Sequence, residues 1–250
     1  MSAISEAVIL MAGSGSRLRG SDETFLKPLV PILGRPLICY TMDALVHSGI
    51  TKINFVIGYQ GDRLSTAVNS LAPPGIDVRF IQNPDWQKQN GISLLAAAKH
   101  LAAPFFLTMS DHLFDNEIVD FLIKSADHRF LNLAVDRKRD SIFDLDDAMK
   151  VQTHAGQVVA IGKNLREYDA IDTGLFVCPL DIFKYLERAK QNSDCSLADG
   201  VRLMAAENKV RAMDIGDAWW QDIDTPTMLH RAEEVMRTFQ IRPSLARRHS

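Results

Sequence analysis

Cysteine is scarce in this chain: three in 250 residues, Cys39, Cys178 and Cys195, with no CxxC pair. That spacing excludes a disulfide framework and a thiolate zinc knuckle, and reduced thiols in a cytoplasmic setting are expected. Long apolar runs are missing too. None reaches the roughly 20 residues that span a bilayer, and the opening residues lack the basic-then-apolar pattern of a secretory leader, so neither membrane insertion nor export is expected. Charge of one sign is lacking: 28 Lys and Arg against 31 Asp and Glu leave a net −3. Nucleic acid therefore finds no electrostatic footprint, and an anionic ligand must be met by a local cluster of cations. Trp86, Trp219 and Trp220 are too few for a base-stacking platform and are expected as core or pocket walls.

What is present is the make-up of a globular protein, 46% hydrophobic and 24% charged. Apolar runs at 7–12, 52–59, 77–83, 104–110 and 130–136 are short and bounded by turn or polar residues, as buried strands are. Helical stretches alternate with them at 36–49, 61–71 and 93–102. The alternation predicts an α/β fold, three-layer α/β/α and Rossmann-like, around a mostly parallel, mixed sheet. After residue 137 shorter strand-like runs appear in AMKVQT, QVVAIGK and DTGLFVCP, followed by helices at 181–191, 196–208 and 226–240. No repeat or linker divides the chain. A single domain over 1–240 is expected, with a frayed basic tail at 241–250.

Gly13-Ser14-Gly15-Ser16-Arg17-Leu18 follows the first strand, where backbone amides can face a phosphate. Leu18 stands where a dinucleotide fingerprint needs glycine, and the Gly-Lys-Ser/Thr of a P-loop is absent, so both motifs are excluded. What remains is GxGxRL followed by FLKPLVPILGRPLI. Arg17 and Lys27 flank a polar loop, and the rigid Lys-Pro-Leu is suited to hold a lysine back over the glycine turn.

The pair LMAGSGSRL and LKPLVPILGRPLI resembles the signature of the nucleotidyltransferase superfamily. Five further segments occur in matching order: NGISLLAAA (90–98), LTMSDHLF (107–114), DDAMKV (146–151), IGKNLREYDAIDTGLFV (161–177) and WWQDIDTP (219–226). With them, nearly the whole chain is similar to the CTP:inositol-1-phosphate cytidylyltransferases. The resemblance implies in-line attack of an acceptor phosphate on the α-phosphorus of CTP, with Mg²⁺ as cofactor and pyrophosphate leaving. The nucleotide part would span about 1–136 and the acceptor part about 137–225. The implied partners are CTP and a small phosphorylated acceptor, inositol 1-phosphate first. Phosphonate, phosphocholine and sugar-1-phosphate nucleotidylyltransferases stay open as alternatives, as do a nucleotide-sensing regulatory subunit and a homodimeric assembly.

Such a reaction joins two polyanions, so it needs fixed cations, amide donors and a metal more than a nucleophilic side chain. Arg17 suits the β,γ-phosphates as a planar fork, and Lys27 the α-phosphate as a point charge. By resemblance, Leu10, Met11, Ala12 and Gly13 lie beside the base, with Ser14, Gly15 and Ser16 at the phosphates. Asn83, Asn90, Gly91, Ser93 and Ser110 complete the nucleotide side. Asn90 or Ser93 would also cap its own helix, with Gly91 accommodating an awkward dihedral. Asp111, at a strand's carboxyl end, is suited to hold Mg²⁺, or else to cap a helix starting near Asp115. His112 is read as a packing residue or as one that supports a site residue from behind, because an ionised phosphate needs no base. The second metal carboxylate is expected from Asp222 or Asp224. The two are expected to diverge so that only one ligates well, the reading leans to Asp222, and Asp224 is equally suited to cap the helix at Pro226. The resemblance implies Lys150 and Lys163 at the acceptor phosphate, and Asp172 and Thr173 at its hydroxyls. The charged run 136–140 reads as a solvated loop or a lid. Asp144, Asp146 and Asp147 lack EF-hand spacing and are assigned no site.

Overall fold

Period-two alternation in the first strand sets the architecture. In β1 (Glu6–Met11) Ala7, Ile9 and Met11 pack into one apolar cluster and Val8 and Leu10 into another, all of them buried. A strand with two apolar faces needs cover on both. The computed structural model describes residues 4–20, 22, 24–139 and 142–241, and the basic tail expected at 241–250 lies, but for Ile241, outside them.

After β1 come α1 (Ser16–Arg19), the hairpin β2 (Pro31–Ile32) and β3 (Arg35–Pro36), and α2 (Leu37–His47). Next are β4 (Lys52–Ile57), α3 (Gly61–Leu71), β5 (Asp77–Gln82), α4 (Asn90–Ala96) and β6 (Phe105–Met109). The middle of the chain forms β7 (His112–Phe114), α5 (Asn116–Ser125), β8 (Leu131–Asp136), β9 (Lys150–His154), β10 (Gln157–Gly162) and β11 (Ala170–Cys178). It closes with α6 (Ile182–Ala189), α7 (Leu197–Ala206), β12 (Val210–Asp214), β13 (Trp220–Asp222) and α8 (Pro226–Ile241).

Among the described residues nine strands form one mixed sheet in the order β5-β4-β1-β6-β11-β8-β12-β10-β9. The first four run parallel, as expected. The sheet is mixed, as expected: beyond β6 the pair β8 and β12 is parallel, whereas β11 runs antiparallel to both β6 and β8 and β10 antiparallel to both β12 and β9. β7 and β13 stand apart as an antiparallel ribbon. Apolar side chains of α2, α3 and α5 pack on one face of the sheet, among them Leu45, Leu64 and Leu122; those of α4, α6 and α7 pack on the other, with Leu94, Leu186 and Met204. Each such side chain taken from water contributes about 1.5–3 kcal/mol. A third, smaller cluster joins Ile32, Leu37 and Leu113 to Ile223 and Ala232 of the C-terminal stretch, fastening α8 over the hairpin.

The expected helix at 93–102 begins earlier, at Asn90, and breaks after Ala96 into a short 3₁₀ turn at Ala98–His100. Among the described residues no helix is long and apolar enough to cross a membrane.

Candidate active site

The glycine turn leaves the carboxyl end of β1 and is bent by Gly15, whose φ of +62° is left-handed. A Cβ on Gly15 would lie 2.7 Å from the Cβ of Lys27. The glycine therefore serves twice, turning the chain and leaving room for the lysine stem to cross over it. Pro28 sits within the single 3₁₀ turn Lys27–Leu29 and stiffens the backbone that carries the lysine. Gly15→Ala is expected to destabilise the fold by about 1–2 kcal/mol from the strained dihedral. It should also displace Lys27, so that activity falls further than the melting temperature suggests; unaltered kinetics would refute the contact.

Lys27 Nζ donates to Asp111 Oδ2 and Asp224 Oδ1, both at 2.6 Å. Burial lowers the ammonium's pKa, yet Asp111 and Asp224 outweigh it and hold the pKa above the usual lysine value. Asp111 lies far below the carboxylate range: burial pushes it up, but Lys27 and His112 overcome that. Arg17 spreads its fork over two carboxylates, Nη2 to Asp224 at 2.6 Å and Nη1 to Asp147 at 2.8 Å. His112 Nδ1 lies 2.7 Å from Asp111 Oδ1, and its ring stacks on Trp220. Gly174, at φ +74°, makes room for that ring, since a Cβ there would meet His112 Nε2 at 2.4 Å. The packing role expected of His112 thus takes a specific form, orienting Asp111.

Asp111 does not cap a helix; Asp115 holds the cap position of α5. The ribbon pairs Asp222 with His112, and Ile223 N–H donates to the Asp111 carbonyl at 2.8 Å, which brings Asp222 and Asp224 to Asp111. The expected divergence of the two is corrected. Residues i and i+2 of an extended segment share a face, and both line the same cavity. Nor does Asp224 cap α8; Thr225 does, its Oγ1 accepting from Met228 N–H at 3.2 Å. Burial pushes the Asp222 pKa up; His112 pulls against this, and Asp224 and Asp111 push further.

Two cavities meet at these charges. One of about 370 Å³ is lined by the turn from Leu10 to Arg17 and by Lys27, Asn90, Ser93, Ser110, Asp111 and Asp224. Sequence reasoning missed Lys88 on its wall, a lone lysine with no motif around it. The other, about 490 Å³, is lined by Lys163, Asp172 and Asp222, with Trp219, Trp220, Asp136, Lys138 and Asp147 added by the fold. Arg17, Asn90, Asp111 and Asp224 line both.

Four expected site residues are not brought to either wall. Lys150 turns its ammonium to the carbonyls of Asp146, Ala148 and Lys163, so backbone oxygens use up its donors. Thr173 alternates with Asp172 along β11 and points into the core, donating to the Ala134 carbonyl at 2.9 Å. Asn83 is buried and donates to Ser93 Oγ at 3.0 Å, supporting a wall residue from behind. Gly91 is needed for packing, because a Cβ would lie 2.6 Å from the Cys195 carbonyl. Asn90 lines both cavities but does not cap its own helix; its Oδ1 accepts from Leu197 N–H at the start of α7. Ser93 does not cap it either, its Oγ accepting from Asn83.

Among the described residues no three His, Cys, Asp or Glu side chains form a self-sufficient metal cage. Two carboxylates do suit a small hard cation that completes its shell with water and phosphate oxygens, as Mg²⁺ does. Asp111 and Asp222 fit that description: both are oxygen donors beside the junction, and no hydrogen bond accounts for the shifted Asp222 pKa.

Residues 7–183 match the family model described as a MobA-like NTP transferase domain. The chain is 34% identical, over 92% of its length, to a bifunctional IPC transferase and DIPP synthase of Rubrobacter xylanophilus, of which the match covers 51%. It is 32% identical, again over 92% of its length, to the protein of that name in Thermococcus kodakarensis, covering 50% of it. The chain thus spans about half the length of these curated relatives. Among solved structures, the inositol-1-phosphate CTP transferase from T. maritima superposes with a TM-score of 0.84 at 26% identity, over 96% of this chain and 97% of that one.

Proposed function

From a chain that belongs to the MobA-like NTP transferase family, we propose a Mg²⁺-dependent cytidylyltransferase. It moves CMP from CTP to the phosphate of a small phosphorylated alcohol, inositol 1-phosphate first, and releases pyrophosphate. The observation that carries this reading is Lys27, a buried ammonium on the wall of the smaller cavity, clasped by Asp111 and Asp224, which with Arg17 line both cavities. The name of the T. maritima structure, an inositol-1-phosphate CTP transferase, points to the same substrates. Apolar clusters on both faces of the sheet support a Rossmann-like three-layer fold in one domain, nucleotide part first and acceptor part second. Three buried free cysteines support a reducing, cytoplasmic setting.

In this reading CTP fills the smaller cavity. Its phosphates take Arg17 and Lys27 from their carboxylate partners, Lys27 at the α-phosphate and Arg17 toward the leaving pyrophosphate. Fixed cations there stabilise charge that grows as the α-phosphorus bond breaks. The acceptor lies in the larger cavity, its phosphate at Lys163 and its hydroxyls at Asp172. No side chain need remove a proton, since the attacking phosphate oxygen is already ionised. Mg²⁺, held by Asp111 and Asp222, would supply Lewis-acid charge at the phosphates; His112 keeps Asp111 turned toward them. One second reading has an observation in its favour. Trp219, Trp220, Asp172 and Asp217 give the larger cavity an aromatic and acidic wall, which suits an ammonium-bearing phosphonate or phosphocholine.

Pyrophosphate release across four NTPs and a panel of inositol phosphate, phosphocholine, aminoethylphosphonate and sugar 1-phosphates tests both. CTP is expected to lead by at least about tenfold, a gap of about 1.4 kcal/mol, with inositol 1-phosphate the best acceptor. Equal rates with UTP would refute the cytidylyl assignment, and a preference for an amine-bearing acceptor would install the second reading.

A further inference from the structure

Asp147, in the loop between β8 and β9, makes contacts that the proposed chemistry does not call for. Its Oδ2 accepts from Arg17 Nη1 at 2.8 Å, and its Oδ1 accepts from Lys163 Nζ. The first cation is read above as serving the nucleotide and the second as serving the acceptor, so one carboxylate ties the two half-sites together. The other Arg17 nitrogen is taken by Asp224, leaving the fork filled by two carboxylates where phosphate oxygens would lie.

The two carboxylates are not equivalent. The Asp224 side chain is 12% exposed and also held by Lys27, whereas Asp147 is 40% exposed and its partners Arg17 and Lys163 are 57% and 50% exposed. Solvated ion pairs of this kind contribute little to stability and yield readily to a more highly charged competitor. A triphosphate is such a competitor: it offers Arg17 a bidentate partner and repels Asp147. The roots of both loops are pinned meanwhile. Lys150 ties the carbonyls of Asp146 and Ala148 to that of Lys163, so exchange requires only the Asp147 and Lys163 side chains to turn.

Resting on the cytidylyltransferase reading, we propose that Asp147 is an interlock that makes substrate addition ordered. With the nucleotide site empty it holds the Lys163 ammonium away from the acceptor. An arriving triphosphate takes Arg17, expels Asp147 and releases Lys163 to the acceptor phosphate. Asp147 is thus a positioning residue that acts through Lys163.

The test is calorimetric titration with the phosphorylated acceptor that turns over in the panel above, inositol 1-phosphate in the first instance. Wild-type protein and Asp147→Asn are each titrated with and without a non-hydrolysable CTP analogue. The wild type is expected to bind the acceptor about fivefold more tightly when the analogue is present, the size expected when a minor competent state becomes the major one. Asp147→Asn is expected to bind it equally well in both conditions, at the tighter affinity, and its binding of the analogue reports an intact fold. A wild type indifferent to the analogue, or a variant that keeps the fivefold gap, overturns the interlock. A chain that binds no CTP analogue and turns over no acceptor overturns instead the functional reading beneath it.

Discussion

Lys27→Ala will lose about a hundredfold to a thousandfold in turnover and will unfold at a lower temperature than the parent protein. The first loss follows from removing the cation clasped by the two carboxylates that line both cavities, by analogy with deleting a single donor to a developing anion. The second follows from what is left behind. Asp111 and Asp224 both lie 2.6 Å from the ammonium, and the lysine side chain is only 9% exposed. Without it two partly buried carboxylates crowd together, at a cost of about 3 kcal/mol near neutrality. The sign of the pH dependence identifies the cause. In the parent, Asp111 is held below its ordinary value, so its contribution is present above the unfolded carboxylate pKa of about 4 and is lost on acidification. In the variant Asp111 loses the ammonium that held it down, so its carboxyl moves upward and the folded state gains on acidification. The gap in melting temperature between the two proteins should therefore narrow from pH 8 to pH 4. A constant gap would mean that Lys27 contributes packing and not charge.

Asp172→Asn is expected to act in opposite directions on stability and affinity. Burial pushes the Asp172 carboxyl up to about 6, against the hydrogen bond from Gly174 N–H and the nearby His112, which pull it down. A raised carboxyl binds its proton more tightly in the folded state, so stability falls as pH rises from about 4 to about 6, and the cost is complete above that window. Asparagine keeps the shape and the bond from Gly174 without the charge. The variant should be more stable by about 2 kcal/mol at pH 8 and indistinguishable at pH 4, which thermal melts across pH would display. Its KM for the acceptor should rise about tenfold or more as hydroxyls lose a charged partner. A variant less stable than the parent at pH 8 would show that the carboxylate is held by contacts that offset its burial. Stability given up for a ligand is the usual bargain at binding sites.

Much of the first half of the chain was legible because its elements are long enough to display a period. The helix expected at 61–71 has those bounds; four of the five expected strands contain the observed one, and the first, expected at 7–12, begins one residue earlier at Glu6. Arg17, Lys27 and Asp111 were legible for a different reason: a glycine turn, a Lys-Pro-Leu run and a strand end each constrain where one side chain goes. The β7–β13 ribbon was not, since three residues a side are too short for any periodicity. Lys150 and Lys163 look alike as lone lysines in strand-like runs. Only the folded loops reveal that one ammonium faces carbonyls and the other a carboxylate. Asp147 carried no signal, as its bond to Arg17 joins positions 130 residues apart. Gly91 misled because a glycine required for packing and one required for a ligand are the same letter.

The short ribbon that sets Asp222 opposite His112 makes the centre sensitive to parity. Side chains along a strand alternate, so deleting or inserting one residue within 112–114 or 220–222 would turn a carboxylate from the cavity to the far side while leaving composition, charge and the large sheet untouched. A two-residue change would restore the facing but shift it by one repeat. Length variation should therefore be tolerated at the turn near Gly75 and not at this ribbon, where counting residues matters more than which ones they are.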